Sequence, residues 1–520
     1  MWPARRLLKY SLFAGASAGT LASLNANQYD VDAIGIVRLG RAAATVFNIA
    51  FIYKTTLYAK DVDYSSEEYA ELKSKVHKEA AEKLLDLCCT NKGVYIKVGQ
   101  HIGALDYLVP KEYVETMKIL HSHAPCSKLE EVYQVLKEDL KQDPHTVFTS
   151  FEPEPLGAAS LAQVHKAKLQ DGTTVAVKVQ HPYVKGNSLV DMKTMEVLVK
   201  LVSWAFPDFK FDWLVEETKR NIPKELDFTQ EGENAEKISQ IFQDCKWLKI
   251  PSIHWNLTTN RVLTMEFLEG GQINDLEYIR SHRINPYDVS QKLGCLYSQM
   301  IFIHGFVHSD PHPGNILVRK SPSGEVEIVL LDHGLYATLS NEIRWEYSKL
   351  WLSILNFDRA GMRAHCEKLG VGDLYGLFSC MVTGRTWDAI ESGIDKVRYS
   401  SREKEMFQKE IPGLLPQISD VLARVNRQIL LILKTNDLMR GIEHTLKTES
   451  RMASFLVMSK CCIQSVYGER QKQCTTRFSR WQTSLSEKWA LFKLQVYYTY
   501  LTVRSFPFFN RIKSLMMYRI

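Results

Sequence analysis

The 520-residue chain holds 10 cysteines but no Cys-x-x-Cys pair; its close spacings are Cys88-Cys89 and Cys461-Cys462. At this length and spacing a disulfide framework is not expected, so the default is a reducing compartment with free, buried thiols. No cluster of Cys and His has the spacing of a zinc site. Charge of one sign is also missing. The 65 basic and 59 acidic residues leave +6, too even to argue for a nucleic-acid partner. No internal repeat or low-complexity tract interrupts the chain. Its apolar run Ala42 to Tyr53 (AAATVFNIAFIY) is short of the ~20 residues a bilayer span needs, and reads as a buried or interfacial helix. An apolar fraction of 45% is enough for a sizeable core and argues against disorder.

Acids are absent from both ends. The first 29 residues carry Arg5, Arg6 and Lys9, followed by the small-residue run SLFAGASAGTLASL. A basic, Ser-containing, acid-free start is the recipe for a mitochondrial presequence. It also fits a secretory leader, which the cysteine pattern disfavours, or an ordinary buried segment. From Lys488 to Ile520 basic residues mix with Trp489, Phe492, Tyr497, Tyr498, Tyr500, Phe506, Phe508 and Phe509. That mixture suits a membrane surface, or a helix packed on the domain.

Between the ends, residues 64–145 read as helices, with Glu67 to Cys88 periodic and polar-faced and Pro110, Pro125 and Pro144 as breaks. The pattern changes near Val147. There TSFEPEPLGAASLAQVHKAKLQDGTTVAVKVQ predicts a strand, a small-residue turn, a second strand, a hairpin turn at Asp171-Gly172 and a third strand. Helical periodicity resumes from Ser188 to Ser239. A further hairpin is expected in IPSIHWNLTTNRVLTMEFLEGG, then a long helix from Tyr287 to His304. NILVRKSPSGEVEIVLLDHG reads as two strands around a Ser-Pro-Ser-Gly turn, and Asn341 to about Tyr467 as almost wholly helical. A small sheet with helices followed by a helical half is an α+β, two-lobed layout.

Four short segments carry chemistry, and each has an ordinary structural reading when taken alone. In VAVK, Lys178 ends a strand where an ammonium could reach phosphates. PKELDFTQEGEN offers Glu225, Asp227 and Glu231 as carboxylates to hold that lysine. HSDPHPGN supplies Asp310, able to orient or deprotonate a nucleophile, and Asn315, five positions on, able to bind a metal. LLDHG places Asp332 just after a buried-type strand as a second metal ligand. Hard oxygen donors of this kind suit Mg²⁺ rather than zinc. His308 and His312 suggest a metal pair, but a His-x-Asp turn is more often structural. Together, and in this order, the segments are the parts phosphoryl transfer needs: a lid, a cation for the phosphates, metal ligands and a nucleophile-orienting group.

With those segments on the page, the sequence resembles the UbiB/AarF family of atypical kinase-like proteins. The likeness is carried by KVGQ (Lys97 to Gln100), GAASLAQVH (Gly157 to His165), VAVK, ELDFTQEGEN, HSDPHPGN and LLDHG, with similar helices to about residue 470. The resemblance implies an α+β kinase-like fold: a targeting segment and membrane-associated helix over 1–60, a helical extension over 61–146, a small antiparallel sheet lobe over 147–270, a helical lobe over 271–470, and a basic aromatic tail over 471–520. It implies ATP and Mg²⁺ as cofactors. Lys178 would contact ATP phosphates and pair with Glu231; Ala158, Ala159, Ser160 and Met265 would complete the nucleotide site. Asp310 would be the catalytic Asp, and Asn315 and Asp332 the Mg²⁺ ligands. Lys97 and Gln100 belong to the family-specific extension, which folds over the site where a peptide substrate would lie. There Lys97 would meet Glu225 and Asp227.

Some departures are physically legible. Glycines let backbone N–H groups curl onto phosphates at positive φ, whereas Ala158 and Ala159 carry a Cβ that resists it, so the lid should be stiff. The lid begins with Gly157 rather than a third alanine. His333 stands where Phe is usual after the metal Asp, which puts Phe-flip regulation in doubt. No Ala-Pro-Glu follows Asp332, so a peptide-docking segment is missing and conventional protein-kinase activity is not expected. The resemblance implies a mitochondrial, inner-membrane-associated ATPase or phosphotransferase acting in membrane-lipid or ubiquinone homeostasis. A membrane lipid or lipid-like small molecule and mitochondrial proteins are its implied partners. The alternative is a pseudokinase scaffold acting through protein partners.

Overall fold

The structure, a computed structural model, describes residues 34–58, 66–103, 109–121, 125–182, 184–206, 212–392, most of 414–448, and 453–505. The basic N-terminal stretch read as a presequence lies outside them. The chain divides into two compact units: Met1–Glu233 with Ser252–Phe267, and Asn234–Pro251 with Leu268–Ile520.

The first unit begins with helices α1 (Gly35–Thr56) and α2 (Glu67–Asn91). The 22 residues of α1 exceed the apolar run read from sequence, and by length and composition this helix could cross a bilayer. Here it packs on α2 and on the later helix α6 (Val184–Ala205), where the Arg38 guanidinium grips Asp191 at 2.6 and 2.9 Å in a buried pair. Ser66 starts α2 by accepting the Tyr69 N–H at 3.1 Å, with Glu67 and Glu68 favourable at the dipole's positive end. Helices α3 (Val94–Gly103), α4 (Lys111–Met117) and α5 (Leu129–Leu140) complete the extension.

An antiparallel five-stranded sheet follows: β1 (Phe148–Phe151), β2 (Gly157–Ala158), β3 (Ala162–Leu169), β4 (Thr174–Gln180) and, later in the chain, β6 (Val262–Glu266). The order is β1-β3-β4-β6, with β2 also paired to β3. Alternation along β4 sends Val175, Val177 and Val179 into a core shared with Val132, Val135 and Leu136 of α5. Lys178 therefore faces the other way. Helices α6, α7 (Asp212–Glu225) and α8 (Phe228–Ile241) fill the range from Ser188 to Ser239 where helical periodicity was expected. The last break falls at Asp227, whose carboxylate accepts the Thr229 N–H at 3.1 Å and caps α8.

The hairpin expected around residues 250–271 forms only in part. β6 is a strand, and the facing segment pairs with it through the Ile253–Met265 bridge, His254 N–H to Thr264 O at 2.9 Å and Glu266 N–H to Ser252 O at 2.8 Å, but the residues between do not continue the ladder. The reason is a 3₁₀ turn at Trp255–Leu257 and a polar clamp, in which Arg261 and Thr259 bond Asp139 of α5 at 2.5–2.8 Å. Gly232 of α8 lies beneath Trp255; a Cβ there would sit 2.7 Å from the ring.

In the second unit β5 (Leu248–Lys249) runs parallel to β10 (Val326–Leu330), which pairs antiparallel with β9 (Ile316–Lys320) and through it with β7 (Gly271–Gln272). A separate pair joins β8 (Phe306–His308) to β11 (Tyr336–Thr338). Helices α9 (Leu276–Ser281) and α10 (Pro286–Ser298) precede β8, and α10 continues as a π-helical segment at Gln299–His304. The helices that follow include α11 (Asn341–Leu355), α12 (Arg359–Lys368), α13 (Tyr375–Thr383), α14 (Trp387–Glu391), α15 (Arg427–Thr445), α16 (Ala453–Gln473) and α17 (Arg477–Ser505).

Candidate functional site

The sheet unit builds one group of the expected residues. Lys178 Nζ donates to both Glu231 carboxylate oxygens at 2.8 and 2.9 Å, with the ammonium 5.2 Å from the Phe228 ring. Glu231 lies in the first turn of α8, so the Asp227 cap that starts the helix also sets the height of this carboxylate. A pair this buried loses hydration that its attraction only partly restores. Its use is to hold one ammonium in one place. Met265 of β6 stands opposite Ala176, and Leu263 opposite Lys178, so Met265 shares the Lys178 face of the sheet.

The lid is closed on itself. Ala159 N–H donates to Ala162 O at 2.7 Å, and Gly157 and Ala158 are already paired with Val164 and Gln163 of β3. His181 donates its backbone N–H to Leu161 O at 3.0 Å and bonds Ala159 O through Nε2 at 3.1 Å. With Nε2 the donor, Nδ1 accepts from Ser127 Oγ at 2.8 Å. Burial holds this imidazole below its ordinary pKa. Beside it Gln163 clamps the Ser127 peptide, accepting its N–H at 2.7 Å and donating to its carbonyl at 3.2 Å. Ser160, expected as a phosphate donor, is buried.

The extension packs directly on this lid. Val94 and Val98 of α3 share a core cluster with Leu161, Val184, Met192, Ile222 and Leu226. From the same helix Lys97 reaches Glu225 of α7 at 2.8 Å, both side chains nearly buried. Gln100 Nε2 donates to Leu120 O at 3.0 Å, tying α3 to the 3₁₀ turn Lys118–His121. Gly99 permits that approach: a Cβ would sit 2.4 Å from Leu120 Cδ1 in a wholly buried cluster.

The second unit assembles the other group. Two loops, 309–315 and 331–335, lie side by side because three bonds zip them together. Ser309 N–H donates to Leu335 O at 2.9 Å, Leu331 N–H to Asn315 O at 2.8 Å, and His308 Nε2 to Asp332 O at 2.6 Å. The β8–β11 pairing, with His308 opposite Tyr336, closes one end; the β9–β10 hairpin closes the other. Asp310, Asn315 and Asp332 are thereby brought together. Asp332 has φ +51°, a left-handed conformation that Asp tolerates better than most residues, and its Oδ1 accepts the Gly334 N–H at 3.1 Å. Asn315 Nδ2 donates to Asp310 O at 3.3 Å, which turns Oδ1 the other way as an oxygen donor for a cation.

His308 is structural, as its motif suggested: buried, its pKa lowered by loss of hydration, and spent on the Asp332 carbonyl. His333 is also buried and held at both nitrogens, Nδ1 by Tyr336 OH at 2.9 Å and Nε2 by Leu330 O at 3.1 Å, with its ring parallel to Tyr336 within 2°. Asn234 of α8 donates to the His333 carbonyl at 2.9 Å. No group of three or more His, Cys, Asp or Glu fit to hold a metal occurs among the described residues. One carboxylate and one amide oxygen still fit Mg²⁺, which keeps much of its shell as water and phosphate oxygens.

Sequence reasoning missed one residue. Lys434 of α15 places Nζ 3.1 Å from Asp310 Oδ1, with both side chains partly exposed. It lies 124 residues from its partner and in no motif. Only a periodic helical context marked its segment.

With this geometry in hand, the comparisons with known proteins are specific. The ABC1 atypical kinase-like domain matches residues 119–366. The chain is 57% identical over 516 residues to AarF domain-containing kinase 1 of Drosophila melanogaster, covering 98% of this chain and 99% of that protein. It is 50% identical over 503 residues to AarF domain-containing protein kinase 1 of Mus musculus, covering 96% and 95%. A solved Mycobacterium tuberculosis protein, in complex with erythromycin, aligns at 21% identity and a TM-score of 0.46 over 72% of this chain and 94% of that one. The Lys97–Gln100 segment precedes the matched domain and falls within the span shared with the full-length relatives.

Proposed function

The chain belongs to the ABC1 atypical kinase-like family, in its AarF domain-containing branch, and we propose that it is a Mg²⁺-dependent ATPase or phosphotransferase directed at a lipid or lipid-like small molecule. The observation that carries this reading is the zipped pair of loops that gathers Asp310, Asn315 and Asp332. The second loop is held in one shape beside the first, with Asp332 left-handed, its Oδ1 on the Gly334 N–H and its carbonyl on His308 Nε2.

When bound, Mg²⁺·ATP supplies the transferable phosphoryl group and neutralises the charge that develops on it. In this reading Lys178, held by Glu231, presents its ammonium to phosphate oxygens, and Met265 borders the base. Asn315 Oδ1 and the Asp332 carboxylate would hold the metal. Asp310 orients the acceptor hydroxyl or water and takes its proton. The lid contributes shape rather than amides, since the Ala159 N–H is committed to Ala162 O. Lys97 and α3 occupy the neighbourhood of the lid in the first unit, which supports a small acceptor over a peptide. The acid-free first 29 residues support import into mitochondria, and the exposed aromatics of α1 and α17 support attachment to a membrane there.

The test is phosphate release and phosphoryl transfer by the purified full chain, with water, lipid vesicles and protein as acceptors. Turnover raised by vesicles and absent in Asp310→Asn fits the proposal; transfer to protein alone overturns it. One observation favours a second reading, a nucleotide-binding scaffold: the Ala159 N–H and the Asp310 carboxylate both already have partners within the chain. That reading expects ATP to raise the melting temperature with no turnover, and Asp310→Asn to restore a null phenotype.

A further inference from the structure

Helix α17 carries more apolar surface than its packing on the domain covers. It lies against α16 through the face that holds Glu487 and the partly buried Leu491 and Leu494, and near its start it turns onto Cys474 of the connecting loop. Ser479 Oγ donates to Cys474 Sγ at 3.0 Å, Thr483 Oγ1 meets the same sulfur at 3.4 Å, and Gln471 Nε2 donates to Glu487 Oε2 at 2.9 Å. A second apolar set points away. Phe478, Trp481, Leu485, Trp489, Phe492 and Val496 are each between 52% and 71% exposed. Their spacing of three and four residues keeps them within an arc of about 80°, in a straight stripe about 27 Å long. A soluble domain buries such a stripe. Here it is left exposed along the whole helix.

The charges say what covers it. Arg477, Arg480, Lys488, Lys493 and Arg504 lie on this helix against a single acid, Glu487, which is turned inward onto Gln471. By helical position Lys488 and Lys493 flank the stripe on its two sides. The Lys493 ammonium lies 5.7 Å from the Trp489 ring, which in turn stacks on Phe492 at 5.7 Å. Long cationic side chains beside Trp and Phe are the arrangement in which aromatic rings enter the headgroup boundary while ammonium groups stay with phosphates. The helix does not cross: Arg480, Glu487, Lys488 and Lys493 fall inside the stretch that would have to lie in hydrocarbon.

We propose that α17 is an in-plane anchor whose Phe478–Val496 stripe inserts into the interface of an anionic bilayer. This rests on the membrane attachment proposed above and names the surface that makes it. It does not depend on the ATP chemistry.

The experiment is vesicle flotation of the full chain. One set of vesicles is phosphatidylcholine alone and the other carries about a third phosphatidylglycerol. The wild type should float with the anionic vesicles. Trp481→Glu combined with Trp489→Glu should cut the floated fraction about tenfold, because each charge forbids insertion of its turn. Lys488→Glu with Lys493→Glu should abolish the preference for the anionic set. All four positions are on the surface, so the melting temperature should not move.

If the tryptophan variant melts normally and floats as well as wild type, the α17 assignment is wrong while membrane attachment stands through another surface, such as the exposed Phe47 and Phe51 of α1. A wild type that floats with neither vesicle overturns both. A wild type that runs as a dimer, broken by the same tryptophan changes and without flotation, makes a second copy of the chain the occupant instead.

Discussion

At the scale of single residues, two side chains outside the expected catalytic set have measurable consequences. Lys434 is paired with Asp310 in a partly exposed ion pair, which contributes at most about 1 kcal/mol to stability. Its larger effect is on position, because it fixes Oδ1 of the carboxylate that must meet the acceptor. Lys434→Met should leave the melting temperature nearly unchanged and lower turnover about tenfold. Equal activity in the two proteins would make the contact incidental. His308 is the second case. Burial depresses its pKa from the ordinary 6.5, so below that pH the unfolded chain binds more protons than the folded one and stability falls as pH drops. Protonation would also put a second N–H on a ring whose buried Nδ1 has no partner. His308→Gln keeps a donor near the Asp332 carbonyl and removes the titration. Urea midpoints measured from about pH 7 to pH 5 should fall less steeply in the variant. Parallel slopes would assign the acid sensitivity to other buried histidines.

At the scale of elements, the glycines of two motifs behave differently. Gly99 lets α3 approach Leu120 closely enough for Gln100 to reach the Leu120 carbonyl. Gly99→Ala forces overpacking in a core with no slack and should cost about 1–3 kcal/mol, read as a lowered denaturant midpoint. Gly157 opens the lid with no atom within 4 Å of a would-be Cβ and no positive φ. Gly157→Ala should therefore change stability by less than about 0.5 kcal/mol. A large loss there would mean the lid opens through conformations only glycine allows. The lid's stiffness has a further source beyond its alanines: His181 and Gln163 tie it to Ser127, so its hydrogen bonds are distributed over three segments.

At the scale of the whole molecule, the sheet and the site residues were legible wherever chemistry restricts residue type. Alternation in VAVK marked β4 and the face of Lys178; the Asp171-Gly172 turn marked the β3–β4 hairpin. The spacing of Asp310, Asn315 and Asp332 marked the second unit's loops before any geometry was known. What could not be read depended on long-range contact. Arg261 and Thr259 clamp the tip of the expected hairpin onto Asp139, and nothing local announces it. Lys434 is invisible because the helix that carries it is distant in sequence. The periodicity of α17 was present in the sequence, but not which of its faces the domain covers. The pairing of Lys97 with Glu225 came only through resemblance, since no spacing rule links residues so far apart.

The claim that joins these scales is that the loops of the second unit support ATP-dependent chemistry and not only nucleotide binding. Steady-state phosphate release by the full chain, wild type beside Asp332→Asn, with anionic vesicles and Mg²⁺ present, tests it most directly. Turnover in the wild type and loss of at least about a hundredfold in the variant, with an unchanged melting temperature, is the predicted result. Equal release by both proteins, or none by a wild type that is nevertheless stabilised by ATP, would contradict it.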